Sequence, residues 1–564
     1  MRILGCTLGR VLFLAVAAWF PFGAVGSETP NEGRIELGIS EYTDIGVKGP
    51  VDNPVTALDE DEQRKSTADH SRFEALQGPF RDGTEVTKAC LSCHNKAGDQ
   101  FIRNTHWTWS YTHPVTGQKL GKSVLINNFC TNARGNEGMC AQCHAGYNRT
   151  GPDYDLTQQE NIDCLVCHES TGTYYKLPPT RGNKACAVMF EGKPPIDWVK
   201  VAQSVRLPAR ANCGACHFFG GGGDNVKHGD LSSVLFHPPR EVDVHMSEQG
   251  GNFACIVCHV GEGHRWAGSR YNMIARDEKE KALPKPGMER QTATCESCHG
   301  DRPHPLSLRG VKLNDHVDRV ACESCHIPYT ARGGVATKVF WDWRTAGRLK
   351  NGEGYREEGY IQGNGEARHT YKSIKGSFKY DENFPPEYRW FDGVMKYTTI
   401  DTVFDPSRPV EINHFEGSPL DPDSRIWPFK KMRTYQPYDK GNNTLVYMHL
   451  WGDDEDAFWG NYDFARAIAR GMKENGVPYS GEYGFVETWS WWPQNHMVAP
   501  KEQALECEEC HSKKGRLAAL TGFYLPGRDG PKWLDWLGLA LVGGTLAGVG
   551  GHGLLRILLA RRRG

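Results

Sequence analysis

The longest apolar runs of this chain stand near its two ends. Residues 11–20 follow Arg2 and Arg10, and residues 536–555 are twenty mostly Leu, Ala, Val and Gly positions. A run of twenty is long enough to cross a bilayer core of about 30 Å, so the second predicts a transmembrane helix. The first has the basic start, short apolar centre and small-residue end of a signal peptide, predicted as residues 1–26.

The flanks of the second run predict its orientation. Trp533 and Trp536 stand at one end, and Arg556 and Arg561 stand at the other. Because cytoplasmic flanks are enriched in Lys and Arg, the C-terminus is predicted to be cytoplasmic and the rest periplasmic, at a bacterial inner membrane. His552, inside the run, is either an interfacial residue or a contact to a haem b or a quinol of a membrane partner.

Between these runs, apolar residues recur at helical spacing in residues 454–475. This stretch starts with acidic residues and stops at Asn475-Gly476, which predicts a core helix. Residues 345–439 have the pattern of loops and short strands. The fold class is therefore predicted to be mainly α with much irregular loop.

The spacing of the cysteines is the clearest indication of the chemistry of this protein. Of nineteen cysteines, sixteen fall into eight CxxCH motifs. Two thiols three residues apart can bond both vinyl positions of one porphyrin, and the adjacent imidazole then lies under the iron. An octahaem cytochrome with eight covalently bound haem c groups is therefore predicted. The motifs, numbered 1 to 8, are Cys90/Cys93/His94, Cys140/Cys143/His144, Cys164/Cys167/His168, Cys213/Cys216/His217, Cys255/Cys258/His259, Cys295/Cys298/His299, Cys322/Cys325/His326 and Cys507/Cys510/His511.

The density of motifs predicts the domain organisation. Seven motifs lie so close together that little room is left for a side-chain core, so the macrocycles are expected to form the interior of a multihaem cytochrome c fold. The predicted regions are a signal peptide (1–26), an N-terminal arm (27–88), a seven-haem domain (89–330), a domain of loops and helices with the eighth haem (331–527) and a transmembrane anchor with a short tail (528–564).

Histidines outside the motifs are candidates for the second axial position of each iron. Fourteen remain, and six stand near motifs: His106, His245, His264, His304, His316 and His496. His228 is a further candidate, in competition with His113 and His237. If six or seven histidines fill these positions, at least one iron needs another ligand, and a haem with an open or weakly held position is where substrate meets iron.

Residues 213–231, CGACHFFGGGGDNVKHGDL, join motif 4 to a glycine-rich loop that carries Asp224, Lys227 and His228. Glycine allows the backbone of this loop many conformations. A lysine on such a loop, soon after a haem motif, suggests that the lysine side chain reaches a metal centre. A lysine must be neutral to bind iron, and its pKa shifts readily on burial.

This loop, residues 127–147 (NNFCTNARGNEGMCAQCHAGY) and residues 494–517 (QNHMVAPKEQALECEECHSKKGRL) resemble the octahaem tetrathionate reductase family, as do the short segments DVHM, GHRWAG and ACESCHIP. The resemblance spans roughly residues 85–520. It implies that the haem of motif 2 is catalytic, with Lys227 as its distal ligand and Asp224 in its pocket. The other seven haems would have two histidine ligands.

The resemblance also places Cys130 over the catalytic haem. Cys130 and Cys186 are the mature cysteines outside the motifs, and a disulfide between them is the alternative in an oxidising compartment. A thiol beside a reducing haem could take part in cleavage of sulfur–sulfur bonds, because thiolates attack them.

The activity implied is two-electron reduction of tetrathionate to thiosulfate, with nitrite or hydroxylamine as other substrates of a lysine-ligated site. The expected partners are a small anionic substrate and an electron donor, either a quinol, a membrane cytochrome b or a periplasmic cytochrome c. The near-zero net charge of -2 argues against a nucleic-acid partner. The members of that family are soluble, whereas this chain has a predicted membrane anchor. The resemblance therefore does not identify the electron donor. The alternatives are a non-catalytic electron conduit and a hydroxylamine-oxidising enzyme.

Overall fold

The computed structural model describes residues 68–126, 131–176, 194–266, 268–271, 273, 275 and 294–562. The predicted signal peptide, Cys130 and Cys186 lie outside the described residues, as does most of the predicted N-terminal arm. The secondary structure changes along the chain: among the described residues, short helices, loops and four two-residue strands precede residue 327, and strands dominate residues 337–493.

The helices are α1 (Gly83–Cys93), α2 (Ala97–Phe101), α3 (Thr105–Thr108), α4 (Glu137–Cys140), α5 (Leu165–His168), α6 (Trp198–Gln203), α7 (Arg210–His217), α8 (Cys255–Cys258), α9 (Glu296–His299), α10 (Leu308–His316), α11 (Cys322–His326), α12 (Phe458–Asn461), α13 (Phe464–Glu474), α14 (Cys507–Cys510) and α15 (Lys532–Arg561). Each CxxCH motif includes or adjoins one of these helices, as predicted, and in motif 2 the 3₁₀ turn Ala141–Cys143 continues α4. Further 3₁₀ turns are His70–Arg72, Glu74–Leu76, Gln159–Asn161, Ser233–Phe236, Trp343–Thr345 and Lys501–Gln503.

The strands are β1 (Tyr111–Thr112), β2 (Lys119–Leu120), β3 (Gly261–Glu262), β4 (Arg265–Trp266), β5 (Thr337–Asp342), β6 (Leu349–Lys350), β7 (Glu353–Gly354), β8 (Arg356–Ile361), β9 (Ala367–Lys372), β10 (Gly376–Asp381), β11 (Glu387–Phe391), β12 (Met395–Tyr397), β13 (Val410–Glu411), β14 (Asn413–Phe415), β15 (Arg425–Asp439), β16 (Thr444–Leu445) and β17 (Tyr483–Pro493). Nine of them form one mixed sheet in the order β13-β17-β15-β5-β10-β9-β8, with β11 and β16 also paired to β15. The prediction of a mainly α fold is therefore wrong for this region.

Strand β15 is the centre of the sheet. It pairs antiparallel with β17 from Phe429↔Pro493 to Asp439↔Tyr483, and parallel with β5 around Thr434↔Trp341. Its buried face carries polar residues as well as apolar ones, including Lys430, Met432, Thr434 and Gln436. Because those inward positions are not uniformly apolar, the alternation typical of a strand was hidden in the sequence.

One face of the sheet packs on an aromatic core with α12 and α13. Trp341, Trp343, Phe378 and Phe458 are buried together there with residues of α13. The predicted helix of residues 454–475 is present as these two helices, broken at Tyr462, where φ is 59°. Asp463 then caps α13 by accepting a hydrogen bond from the Arg466 amide, so the prediction of one continuous helix is wrong at its start.

Helix α15 contains the predicted membrane span. Its segment Trp533–Arg561 is strongly apolar, and none of its residues is buried in the structure. Thirty residues at about 1.5 Å each make a helix of about 45 Å, which exceeds the bilayer core. By length and composition this helix is a candidate to cross a membrane.

Candidate haem sites

Six of the eight motif histidines face a second imidazole. Two imidazoles that share one metal ion, each bound at about 2 Å, place their ring centres roughly 6 Å apart. The six pairs have that spacing, so they fit an iron with two histidine ligands. They are His94 with His70 (6.4 Å), His217 with His106 (5.9 Å), His259 with His496 (6.2 Å), His299 with His245 (6.0 Å), His326 with His304 (6.4 Å) and His511 with His316 (5.9 Å).

The partner imidazoles are also oriented for this role. In several, Nδ1 is engaged in a hydrogen bond, which leaves Nε2 for a metal and fixes the ring. The Nδ1 contacts are His106 to Asn104 Oδ1 (2.9 Å), His304 to Asn314 Oδ1 (3.0 Å), His316 to Lys312 O (2.6 Å) and His496 to Asp230 Oδ2 (3.1 Å).

His168 of motif 3 is the seventh case. Its Nδ1 lies 2.8 Å from the Arg206 carbonyl oxygen. The pKa of His264 is lowered by burial and next by the charge of His168, so the two imidazoles lie within electrostatic range. His264 lies within the same range of His94, so its pairing with His168 stays a prediction.

The structure places all six predicted distal histidines near a motif histidine and adds one that sequence reasoning missed. His70 faces His94 although it precedes Cys90 by twenty residues, too far for proximity in sequence to reveal it. A 3₁₀ turn capped by Asp69 holds it there. Their roles as ligands stay predictions.

His228 has a different environment from these histidines. Its ring meets Trp492 edge-on at 4.9 Å, and its carbonyl oxygen accepts a hydrogen bond from Gln494 Nε2. Of its competitors, His113 accepts hydrogen bonds from two backbone amides at Nδ1, and His237 lies near Glu248. None of the three has a described ring contact with a motif histidine.

His144 of motif 2 is surrounded by other groups. The rings of Trp107, Trp109 and Tyr154 lie 5.0–5.6 Å from it, and among the described ring contacts none is with an imidazole. Its Nε2 lies 2.6 Å from the Trp107 carbonyl oxygen and 3.1 Å from Arg149 Nη1. Burial, and then nearby cations, hold the pKa of His144 well below its ordinary value. Motif 2 therefore differs from the other motifs in what surrounds its histidine.

Close approaches between cysteine side chains show which motifs adjoin. They link motif 1 to 3, motif 2 to 4, motif 4 to 5 and motif 6 to 7, through the pairs Cys90/Cys164, Cys143/Cys216, Cys213/Cys255 and Cys295/Cys322. Motif 8 is joined to motif 7 because the Leu505 amide donates to the Cys325 carbonyl oxygen. These links gather the motifs into three groups, which are 1 with 3, 2 with 4 and 5, and 6 with 7 and 8.

Four of the sixteen motif cysteines are exposed in the structure. They are Cys93, Cys258, Cys298 and Cys507, one each from motifs 1, 5, 6 and 8. The other cysteine of each of these four motifs is partly buried. A thiol that bonds a porphyrin must be reachable, so exposure is compatible with haem attachment, and that role stays a prediction for all four.

The glycine-rich loop holds Lys227 in the interior. A Cβ at Gly221, where φ is 94°, would lie 2.3 Å from Lys227 Cγ, so only glycine allows this close approach. Lys227 is 1% exposed, and its Nζ lies 5.4 Å from the centre of the Trp341 ring. The loop meets motif 2 through a shared apolar cluster in which Cys143 packs against Phe218 and Phe219.

Asp224 accepts hydrogen bonds from Ser233 at both carboxylate oxygens, with 2.9 Å from the Ser233 amide to Oδ1. Burial raises its pKa, partly offset by Arg368 and these hydrogen bonds. A carboxylate with a raised pKa can hold or release a proton nearer neutral pH. The described contacts of Lys227 and Asp224 do not include His144.

A buried polar network that sequence reasoning missed joins motifs 2 and 3. Asp163 accepts hydrogen bonds from Tyr147 (3.0 Å) and Tyr174 (2.8 Å), and its Oδ2 lies 3.1 Å from Lys176 Nζ. The same Nζ donates to the His144 carbonyl oxygen. Asp163 directly precedes Cys164, so the network ties the backbone of one motif to that of the next.

Known families, a relative and a solved structure resemble this chain. Residues 338–514 match the family "Cytochrome c bacterial", and residues 89–169 and 254–327 match "Cytochrome c554 and c-prime". An uncharacterized protein of Archaeoglobus fulgidus is 24% identical over 253 residues, which are 37% of this chain and 84% of that protein. The crystal structure of octahaem cytochrome c from Shewanella oneidensis is 35% identical with a TM-score of 0.68, covering 82% of this chain and 99% of that one. The resemblance predicted from the motifs is confirmed, and the chain belongs to the octahaem cytochrome c family.

Proposed function

We propose that this protein is a membrane-anchored octahaem reductase whose haem domain faces the periplasm. Its eight motifs would hold eight covalent haem c groups, and one of these would reduce a small sulfur or nitrogen oxyanion. When bound, the haems would supply one-electron transfer between motifs and to the substrate. The cysteines and paired imidazoles described above fit these groups.

The observation that carries the proposal is the environment of His144. Six motif histidines face a second imidazole and His168 lies within electrostatic range of His264, which suits pure electron transfer because both axial positions of each iron would then be filled. His144 has indole and phenol rings and a guanidinium around it instead. Motif 2 is accordingly the place where a ligand other than histidine, or a substrate, fits best.

Lys227 is proposed as the distal ligand of the motif 2 haem, as the family resemblance implies. Its side chain is buried, its loop shares an apolar cluster with Cys143, and burial favours the neutral amine that a metal requires. Asp224 would relay protons, with Ser233 holding its carboxylate. Cys130 would place a thiol over the same site.

For tetrathionate, two electrons break the central S–S bond and release two thiosulfates, with no net uptake of protons. Nitrite or hydroxylamine would also need protons, which Asp224 could supply. The donor would be a quinol, a membrane cytochrome b or a periplasmic cytochrome c. Motif 8 is nearest the anchor in sequence, and a Cβ at Gly527 would lie 2.2 Å from the His511 carbonyl oxygen, so the chain leading to α15 packs directly on motif 8.

The test is an assay of the purified protein with a reduced dye against tetrathionate, nitrite and hydroxylamine. Lys227→Ala should abolish or alter turnover while haem content is kept, because the sixth ligand of the active haem is lost. Lys200→Ala, on the exposed side of α6, is the matched control and should match the wild type. Full activity in the Lys227→Ala protein would remove Lys227 from the site.

The Cys130→Ser variant tests whether the thiol acts only on sulfur substrates or has a general role in the substrate pocket. If the thiol handles sulfur, tetrathionate turnover should fall more than nitrite turnover. Equal losses would assign Cys130 a general role in the pocket.

A non-catalytic conduit is the second candidate, favoured by the seven motif histidines that lie near another imidazole. It predicts that the wild type turns over none of the three substrates while it still exchanges electrons with the dye.

A further inference from the structure

Asp230 is a buried carboxylate at the end of the glycine-rich loop. Its side chain is 3% exposed, and the ion pair described for it joins Oδ2 to His496 Nδ1 at 3.1 Å. His496 in turn faces His259 of motif 5, with 6.2 Å between the ring centres. A carboxylate removed from water is costly unless a partner compensates its charge. The partner of Asp230 is an imidazole predicted to bind the iron of motif 5.

The acceptor of this imidazole differs in charge from the acceptors of the others. For His106 and His304, the oxygen next to Nδ1 belongs to a side-chain amide, and for His316 it is a backbone carbonyl. For His496 it is a carboxylate oxygen. A carboxylate that accepts the Nδ1 proton makes Nε2 a more basic metal ligand. A more basic ligand stabilises the oxidised iron, which carries more positive charge, and so lowers its reduction potential.

Asp230 also fastens the loop to the segment that carries His496. The backbone amides of Asn495 (2.7 Å) and His496 (3.1 Å) donate to the same Oδ2 atom that meets the imidazole. Just before them, Gln494 Nε2 donates to the His228 carbonyl oxygen of the loop at 2.9 Å. One carboxylate therefore holds both the backbone and the ring of His496, which fixes the direction of Nδ1.

Gly229 sets the course of the chain into Asp230. Its φ is 87°, and a Cβ there would lie 2.7 Å from Thr330 Cγ2 and 2.9 Å from Lys430 Cδ, so the position requires glycine. The Gly229 carbonyl oxygen accepts a 2.7 Å hydrogen bond from the Ala331 amide. The turn that places the carboxylate beside the imidazole is therefore closely packed.

The position of motif 5 gives this contact a consequence for electron transfer. Close approaches of cysteine side chains join motif 5 to motif 4, and motif 4 to motif 2. We infer that Asp230 is a positioning residue that holds His496 and lowers the reduction potential of the motif 5 haem below its value with a neutral acceptor. A lower potential favours passage of its electron to motif 4 and on towards motif 2. This inference rests on the proposed haem of motif 5 and is independent of the substrate.

Redox titration followed by electron paramagnetic resonance tests this role without substrate. The haem-loaded full chain in detergent is titrated as wild type and as Asp230→Asn, which keeps the shape and an acceptor oxygen but removes the charge. One low-spin centre should move to more positive potential while the other seven stay. Its ratio of reduced to oxidised iron at a given potential should rise at least about tenfold, which is about 59 mV for one electron. Asp230→Ser, also neutral, should move the same centre in the same direction if asparagine disturbs the fold.

Asp243→Asn is the matched control. Asp243 is 3% exposed, and its Oδ2 accepts hydrogen bonds from the backbone amides of Met497 (3.0 Å) and Val498 (3.2 Å), but none from an imidazole ring among the described residues. Its loss of charge should change the same ratio by less than about threefold at every centre. His496→Ala identifies the motif 5 centre, because removal of the distal ligand should make that centre high-spin.

Wild-type potentials at all eight centres of Asp230→Asn would overturn the inference, as would a shift at a centre other than the one altered in His496→Ala. An equal shift in Asp243→Asn would also overturn it, because support of the backbone would then explain the potential. If the wild type reduces none of the three substrates but Asp230→Asn still shifts the motif 5 centre, the role of Asp230 stands and the proposed reductase function falls.

Discussion

In the sheet region, residues 337–493, Trp341, Trp343 and Phe378 pack beside one another in a continuous aromatic core with α13. In the motif region, residues 68–326, buried apolar side chains form several smaller clusters, such as the one around Val86 and Leu165. The motif region is held instead by short helices, imidazole pairs and buried polar networks. The two regions therefore depend on different interactions.

This difference between the two cores indicates which region the haems would have to stabilise. A side-chain core stabilises roughly in proportion to the apolar area it buries, whether or not haem is attached. Small clusters between short helices bury less area against the entropy of ordering the loops. We therefore expect the sheet region to be the scaffold and the motif region to become ordered when haem is bound.

The largest expected effect comes from withholding haem. In chain produced without haem attachment, backbone amides of β5, β10, β15 and β17 should stay protected from hydrogen exchange. Amides of α7 and α8 should exchange as fast as in unfolded chain, because the groups between them are missing. Uniform protection, or uniform loss of it, would contradict the comparison, and the haem-loaded protein is the control.

Within the sheet region, Trp341→Ala should cost about 3–5 kcal/mol of unfolding free energy, because it leaves a cavity in a core position that is 0% exposed. Phe340→Ala, at a half-buried position of the same strand, should cost clearly less. Hydrogen exchange of β10 and β15 in the haem-loaded protein measures both. Equal effects would show that the aromatic core is not what stabilises the sheet.

Within the motif region, Asp163→Ala should destabilise the protein by about 3–5 kcal/mol, because it strands the ammonium of Lys176 in the interior. Tyr174→Phe removes one hydrogen bond of the same carboxylate and should cost about 1 kcal/mol. Protection of α5 and of residues near His144 reports the change. A loss for Asp163→Ala no larger than for Tyr174→Phe would argue against the network.

The smallest effect is expected at the surface of the sheet. A hydrogen bond from Arg433, with further ones from Trp489 and Tyr435, lowers the pKa of Glu487 to about 2. Because the folded pKa is depressed, this stabilisation is present above the ordinary pKa and is lost as pH falls from about 4.5 towards 2. Arg433 is half exposed, so Glu487→Gln should cost about 1 kcal/mol or less at pH 7 and nothing near pH 2. A cost independent of pH would exclude the ion pair.

Local chemistry was readable from the sequence, and long-range packing was not. The CxxCH spacing predicted the motif helices, and nearness to a motif found His106, His245, His264, His304, His316 and His496. His70 was not predicted as a partner of His94, because the two are brought together by folding and are far apart in sequence. Strand β15 was not predicted at its full length. Lys430 and Thr434 occupy its buried face, and Pro428 and Pro437 interrupt the apolar–polar alternation. The Asp163 network escaped because its members are brought together only by tertiary structure.

Low-temperature electron paramagnetic resonance of the oxidised protein, with Lys227→Ala beside the wild type, tests the central claim most directly. The account predicts seven low-spin centres with two histidine ligands and one distinct centre at motif 2. In Lys227→Ala that one centre should become high-spin while the other seven are unchanged. Eight equivalent low-spin centres in the wild type, unaltered by Lys227→Ala, would contradict the account.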